Sequence, residues 1–203
     1  MTRLRARTRR GRAGGPLAAL GCALLALASA GCVVRQPSPN GIFSPDGKPE
    51  HWYDPGRRPT LTGAIAGPDL LTDARISLDD PQFAGKVVVI NTWGSWCGPC
   101  RGETPALEAT YQATKEKGVA FLGIDLREDS RDSAKDYVLD RKVSYPSIYD
   151  PAGRSLLPLS SQVSTSAVPT TVVLDRSHAV ALVHIGAVTQ TSLEPLILKV
   201  VAE

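Results

Sequence analysis

From Val87 to Cys100 the chain reads VVVINTWGSWCGPC, a β-branched run that leads into two cysteines. The continuous run at 87–90 predicts a central strand that is covered on both faces of a sheet. Beyond the cysteines, residues with helical spacing continue up to a stop signal at Gly118: Leu107, Thr110, Tyr111 and Thr114. Cys97 is therefore expected at the N-terminus of a helix that follows a buried strand.

The segments after Gly118 predict the remaining elements of an alternating chain. In order, these are a buried strand at 119–124, a helix at 130–141, a short strand at 145–149, a helical turn at 153–161, a hairpin of strands at 170–174 and 179–185, and a final helix opened by the capping box Thr191-x-x-Glu194. With Cys-x-x-Cys at the first strand-to-helix junction, this order describes a thioredoxin-like fold of the α/β class, with a central mixed sheet flanked by helices.

Composition and charge exclude several classes of protein. The 203 residues are 21% charged and 42% hydrophobic, which is typical of one or two globular domains. The net charge is +3, but residues 1–31 carry six arginines and no acidic residue, which leaves 17 Lys+Arg against 20 Asp+Glu in residues 32–203. Since the basic surplus lies in one end segment, we expect no nucleic-acid partner.

The N-terminal end predicts export. The arginines precede an uncharged, leucine-rich run at 13–34, as in a secretory signal, and we assign residues 1–31 to a signal peptide. The run ends LASAGC at Cys32, which resembles a bacterial lipobox, although Ser29 stands where Leu or Val is usual. Lipidation of Cys32 would tether the protein to the extracytoplasmic face of the cell membrane. The alternatives are an uncleaved signal anchor and a cleaved secretory signal.

A proline-rich spacer is expected between the signal and the folded domain. Residues 32–59 contain six prolines, which are unfavourable in helices and in central strands. Residues 60–203 are then the thioredoxin-like domain. Trp52 and Tyr53, near the boundary, are expected to pack on the surface of that domain.

The cysteines favour redox chemistry over structural roles. Of the four, Cys22 lies in the signal and Cys32 at the expected lipidation point, so that only Cys97 and Cys100 remain in the domain. One closely spaced pair is not a disulfide framework. A structural zinc site needs four ligands, and the three histidines, at 51, 178 and 184, show no matching spacing. We therefore predict no metal and no cofactor.

The stretch from Asn91 to Pro105, NTWGSWCGPCRGETP, resembles the active-site signature of the TlpA/ResA-like thiol-disulfide oxidoreductases, which belong to the thioredoxin superfamily and have a redoxin/AhpC-TSA-like domain. The resemblance covers about residues 60–203. It implies an N-terminal hairpin extension, an extra central helix at 130–141, and a cis-proline loop at Val168-Pro169 that faces the cysteines.

The resemblance also implies the roles of the site residues. Cys97 is the expected nucleophile and Cys100 the resolving thiol, with a Cys97–Cys100 disulfide in the oxidised form. Glu103 is expected to transfer a proton to or from Cys100, the alternative being a surface salt bridge. Asn91 stands where cytoplasmic thioredoxins bury an aspartate. The active-site rim and substrate-binding surface are expected to consist of Trp96, Gly98, Pro99, Val168 and Pro169.

The expected function is reduction of disulfides in exported proteins by a membrane-tethered enzyme. The resemblance implies apocytochrome c as the substrate, in cytochrome c maturation, and a membrane thiol-electron donor of the CcdA or DsbD class as the partner. Oxidation or isomerisation of exported disulfides is the first alternative. A thiol peroxidase and a non-catalytic binding lipoprotein are weaker alternatives, the latter because the Cys-x-x-Cys motif is intact.

Overall fold

The structure, a computed structural model, describes residues 49–203. The expected signal peptide, Cys32 and most of the spacer lie outside the described residues. Eight strands and three α-helices occur in this part of the chain: β1 (Glu50–Trp52), β2 (Ala66–Pro68), β3 (Arg75–Ser77), β4 (Val87–Trp93), α1 (Gly98–Thr114), β5 (Val119–Asp125), α2 (Arg131–Asp140), β6 (Ser147–Tyr149), β7 (Thr170–Leu174), β8 (Val180–Ile185) and α3 (Gln190–Val201). None of the helices in residues 49–203 has the length and apolar character needed to cross a membrane.

Six strands form a mixed sheet in the order β1-β8-β7-β4-β5-β6. The central strand β4 pairs in parallel with β5 and antiparallel with β7. β2 and β3 form a separate antiparallel hairpin, which a bridge between Asp69 and Ile148 joins to β6. The predicted thioredoxin-like fold is confirmed, together with its N-terminal hairpin extension and extra central helix, α2.

Strand β4 is buried along its whole length because both faces of the sheet are covered. Val87 and Val89 pack into an apolar cluster with Leu107 of α1 and Leu193 of α3. On the opposite face, the alternate residues of β4 pack into a second cluster, which includes Val88, Ile90, Phe83, Leu156 and Leu159. This two-sided packing explains the unbroken β-branched run in the sequence.

The spacer prediction needs a correction at its C-terminal end. Residues 50–52 form strand β1, which pairs antiparallel with β8, for example His51 with Val183. Prolines at 49 and 55 bracket this strand and keep it short, but a three-residue edge strand can form between them. Trp52 and Tyr53 pack against the two core clusters, as expected.

The capping box of α3 also differs from the prediction. The helix begins at Gln190, earlier than expected, and its N-cap is Thr189. The Thr189 Oγ1 accepts a hydrogen bond from the Ser192 amide at 3.2 Å, and the Ser192 Oγ accepts one from the Thr189 amide at 3.0 Å. Thr191 and Glu194 therefore lie inside the helix. The prediction was wrong because Ser192 takes the place of the usual glutamate.

Candidate active site

Cys97 is the N-cap residue of α1, and the structure joins it to Cys100 by a disulfide. The Cys100 amide donates to the Cys97 Sγ at 3.2 Å. Both cysteines are buried, but their neighbours Trp96, Gly98 and Pro99 are exposed. The Cys97 sulfur therefore lies just below the surface at a helix N-terminus, where backbone N–H groups and the helix dipole favour negative charge.

The loop between β4 and Cys97 is fixed to the chain that follows β5. Glu128 accepts hydrogen bonds from the Ser95 amide at 2.8 Å and from the Ser95 hydroxyl at 2.9 Å. The Trp96 indole N–H donates to the Leu126 carbonyl at 3.0 Å. Because these contacts hold consecutive residues, Cys97 is presented by a rigid loop.

The Val168–Pro169 loop approaches the disulfide from the other side. Its peptide bond is cis, and the Val168 carbonyl oxygen lies 3.9 Å from the Cys97 sulfur. Pro169 is buried, and its carbonyl accepts a hydrogen bond from the Gly186 amide at 2.9 Å. The half-buried backbone of Val168 is thus available beside Cys97 for pairing with an extended peptide.

Glu103 lies one helical turn beyond Cys100 and is 1% exposed, which rules out a surface salt bridge. One carboxylate oxygen accepts from the Asn91 side-chain amide at 2.9 Å, and the other accepts from the Val188 backbone amide at 2.9 Å. Burial raises the pKa of Glu103 to about 7, against the lowering effect of these two hydrogen bonds. The structure therefore places a carboxyl group with a pKa near neutrality one helical turn after the resolving cysteine.

Sequence analysis missed a second buried carboxyl group, that of Asp125. It ends β5 beside Trp93 of β4 and is fully buried, and neither of its oxygens has a hydrogen-bond partner within residues 49–203. Burial, with smaller effects from Glu128 and Asp150, raises its pKa to about 8. Asp125 is therefore mostly protonated at neutral pH. The sequence signal for Asp125 is an acidic residue at the end of an apolar strand, β5, which pairs in parallel with the strand that leads to Cys97.

The two additions to the basic fold meet at the disulfide. Cys97 and Cys100 share an apolar cluster with Leu70 from the turn between β2 and β3, with Trp93, and with residues of α2: Ala134, Tyr137 and Val138. The Thr104 hydroxyl donates to the Cys100 carbonyl at 2.9 Å and shares a 2.6 Å hydrogen bond with the Tyr137 hydroxyl. The first turns of α1 are thus tied to α2.

A cysteine pair that begins a helix, on a thioredoxin-like sheet and opposite a cis-proline, is the arrangement of the thiol-disulfide oxidoreductases. The family model described as Redoxin matches residues 63–197. The thiol-disulfide oxidoreductase ResA of Bacillus anthracis is 30% identical over 130 residues, 64% of this chain and 71% of that protein. The chain therefore belongs to the Redoxin family and is a thiol-disulfide oxidoreductase.

Solved structures agree with this assignment. A secreted thiol-disulfide isomerase from Corynebacterium glutamicum is 39% identical, with a TM-score of 0.72, and the match covers 80% of this chain and 97% of that one. A DsbF homologue from Corynebacterium diphtheriae is 38% identical, with a TM-score of 0.70 and coverage of 79% and 96%. Both similarities extend over nearly the whole of the solved chains.

The pKa of Glu103 predicts a pH-dependent stability. Between its ordinary pKa of 4.5 and its folded value of about 7, the folded protein binds more protons than the unfolded chain. The free energy of unfolding should therefore fall as pH rises through this window. Glu103→Gln removes this contribution, which we expect to amount to about 1–3 kcal/mol by pH 8. Urea unfolding of the oxidised protein at a series of pH values measures it.

Glu116→Gln is the matched control, because Glu116 is exposed next to the end of α1. Its pH profile should follow that of the wild type, including the part contributed by Asp125. A Glu103→Gln profile parallel to the wild-type profile across this window would show that Glu103 titrates normally.

Proposed function

We propose that this protein is a membrane-tethered, extracytoplasmic reductase of disulfides in exported proteins. The observation that carries the proposal is the position of Cys97, at the start of α1 and 3.9 Å from the Val168 carbonyl, below an exposed rim. This arrangement supports attack on a peptide disulfide that pairs with the Val168 backbone.

The reaction starts from the reduced enzyme, with Cys97 as the attacking thiolate. The N-terminus of α1 stabilises this thiolate, with the Cys100 amide as the nearest hydrogen-bond donor. The thiolate attacks one sulfur of the partner disulfide, the partner S–S bond breaks, and the departing thiolate takes up a proton. The product of this step is a mixed disulfide between Cys97 and the partner.

Cys100 completes the exchange. Its thiol loses a proton, and the resulting thiolate attacks the Cys97 sulfur, which releases the second partner thiolate for protonation. Two electrons and two protons thus pass to the partner, and the Cys97–Cys100 disulfide forms. We assign Glu103 the acceptance of the Cys100 proton, because its pKa of about 7 suits a general base at neutral pH.

The substrate and the electron source follow from the family resemblance. We propose apocytochrome c, whose haem-attachment cysteines must be reduced, as the substrate. Each turnover leaves the enzyme oxidised, so a donor must reduce it again. We propose a membrane thiol-electron transporter of the CcdA or DsbD class, which would supply electrons across the membrane. The similarity to the Bacillus proteins named ResA supports this assignment.

Isomerisation or oxidation of exported disulfides is the second candidate. It is favoured by the similarity to the secreted thiol-disulfide isomerase of Corynebacterium glutamicum, which at 39% identity exceeds the 30% identity to ResA. The same cysteines and rim serve both reactions: an oxidant acts from the enzyme disulfide, whereas an isomerase attacks with the Cys97 thiolate and recovers its dithiol when the client disulfide has been rearranged.

The reduction potential of the Cys97/Cys100 pair distinguishes a reductase from an oxidant. We expect a value near that of thioredoxin, about −270 mV, when the purified full-length protein is equilibrated with dithiothreitol buffers and its thiols are counted by alkylation. A value near about −120 mV would replace the reductase with an oxidant of exported proteins.

Serine variants test the order of attack. Cys97→Ser should abolish reduction of a peptide disulfide, because no thiolate remains at the rim. Cys100→Ser should instead accumulate a mixed disulfide, visible as a mass increase equal to the reduced peptide less the hydrogens lost in forming the new S–S bond. Full activity in Cys97→Ser, or a trapped adduct on Cys100 in that variant, would contradict the mechanism.

The tether is tested at Cys32. Mass spectrometry of the membrane fraction should find the mature chain beginning at a lipid-modified Cys32, and Cys32→Ala should release the protein or leave its signal uncleaved. An intact N-terminus with unmodified Cys32 would overturn lipidation in favour of a signal anchor.

A further inference from the structure

The exposed rim beside Cys97 contains an indole ring that is held in one position. Trp96 is 46% exposed, and its Nε1 donates to the Leu126 carbonyl at 3.0 Å. A Cβ atom at Gly94 would lie only 2.4 Å from that nitrogen. The missing side chain of Gly94 therefore lets the indole lie against its own loop. The exposed part of the ring is a fixed surface next to the reactive sulfur.

Arg127 covers part of this surface. Its guanidinium carbon lies 4.4 Å from the centre of the Trp96 ring, a cation–π contact. The backbone of Arg127 is also fixed, because its amide donates to the Pro151 carbonyl at 3.1 Å. In the part of the chain that the structure describes, no carboxylate lies within 4 Å of this exposed guanidinium and no protein acceptor takes its N–H groups.

A second guanidinium binds the residue that precedes Trp96. Arg101, exposed in the first turns of α1, donates from Nη1 to the Ser95 carbonyl at 3.2 Å. Its guanidinium carbon lies 5.2 Å from the centre of the Tyr137 ring. Like Arg127, it forms no ion pair within residues 49–203. Arg101 therefore binds Ser95, and Arg127 stacks on Trp96, the residue directly before Cys97.

The nearby acidic residues form no ion pair with either guanidinium group. Asp125 is fully buried, and Glu128 is 8% exposed and bound to Ser95. Asp129 is exposed two residues after Arg127, but no ion pair joins them. Both guanidinium groups are therefore free to bind a carboxylate, although Glu128, Asp129 and Asp150 lie in the same region.

We propose that Arg127 and Arg101 form a carboxylate-binding rim that selects peptide disulfides with Asp or Glu within a few residues of the attacked cysteine. This inference rests on the proposed function, because it concerns the substrate of the same site. The planar guanidinium fork matches a carboxylate with two parallel hydrogen bonds. An arginine already stacked on Trp96 loses less side-chain freedom when a substrate binds.

The test compares three peptides with the same intramolecular disulfide. They differ only in the residue two positions from one cysteine, which is Glu, Gln or Lys. Reduced full-length protein is mixed with each fluorophore-quencher peptide, and the second-order rate constant for disulfide opening is measured at low and high salt. We expect the Glu peptide to react about two- to fivefold faster than the Gln peptide, the range for one exposed ion pair, with Lys slowest. High salt should remove most of this preference.

Variants assign the preference to the rim. Arg127→Gln should lose part of the discrimination between Glu and Gln peptides, and the double variant Arg101→Gln/Arg127→Gln should lose it all. Arg127→Lys should keep more of it than Arg127→Gln, and Asp129→Asn should increase it. Arg57→Gln is the matched control. Arg57 is exposed, and its neighbour Arg58 binds Asp175, which directly follows β7. This end of β7 lies beside the start of β4, at the edge of the sheet opposite to the active-site loop. This control should behave as the wild type.

The outcomes separate this inference from the proposed function. Equal rates for the three peptides with the wild type, or unchanged discrimination in Arg101→Gln/Arg127→Gln, would overturn the carboxylate-binding rim and leave the reductase in place. Failure of the reduced wild type to open any peptide that dithiothreitol opens would overturn the reductase itself, and the rim with it.

Discussion

The buried carboxyl group of Glu103 connects the three parts of the fold on which the active site depends. It lies on α1, and it accepts hydrogen bonds from Asn91 of β4 and from Val188 in the segment before α3. A buried carboxyl group without such partners would be costly. Helix α1 is therefore favoured where Glu103 can reach both donors. The position of α1 on the sheet, and with it the position of Cys100 one turn earlier, is therefore specified by polar as well as apolar contacts.

The two buried carboxyl groups of the site, Glu103 and Asp125, differ in the hydrogen bonds that their surroundings offer them. Glu103 has two hydrogen-bond donors, whereas Asp125 has none among the described residues and faces further acidic side chains. Both pKa values are raised, but only Glu103 lies on the helix of the cysteines. An unsatisfied acid below the active-site loop reduces stability, and such local costs are common where a site must be held in one geometry.

Much of the architecture could be predicted because its signals are local. The β-branched run of β4, the apolar run of β5, the hairpin of β7 and β8, and the spacing of α2 all follow from short stretches of sequence. The edge strand β1 could not be predicted this way, because three residues between prolines acquire a partner, β8, only after more than a hundred further residues. The surroundings of Asp125 and Arg127 could not be predicted either, because their neighbours Trp93 and Trp96 are distant in sequence and come close only in the folded protein.

Both edges of the main sheet are short. β1 and β6 have three residues each, and the turn after β2 forms a bridge to β6. A long open edge would invite other chains with unpaired strands to add to the sheet and aggregate. The short edges offer such chains little backbone to bind. In the proposed reaction a client pairs instead with the backbone beside Cys97, and that contact ends with the exchange.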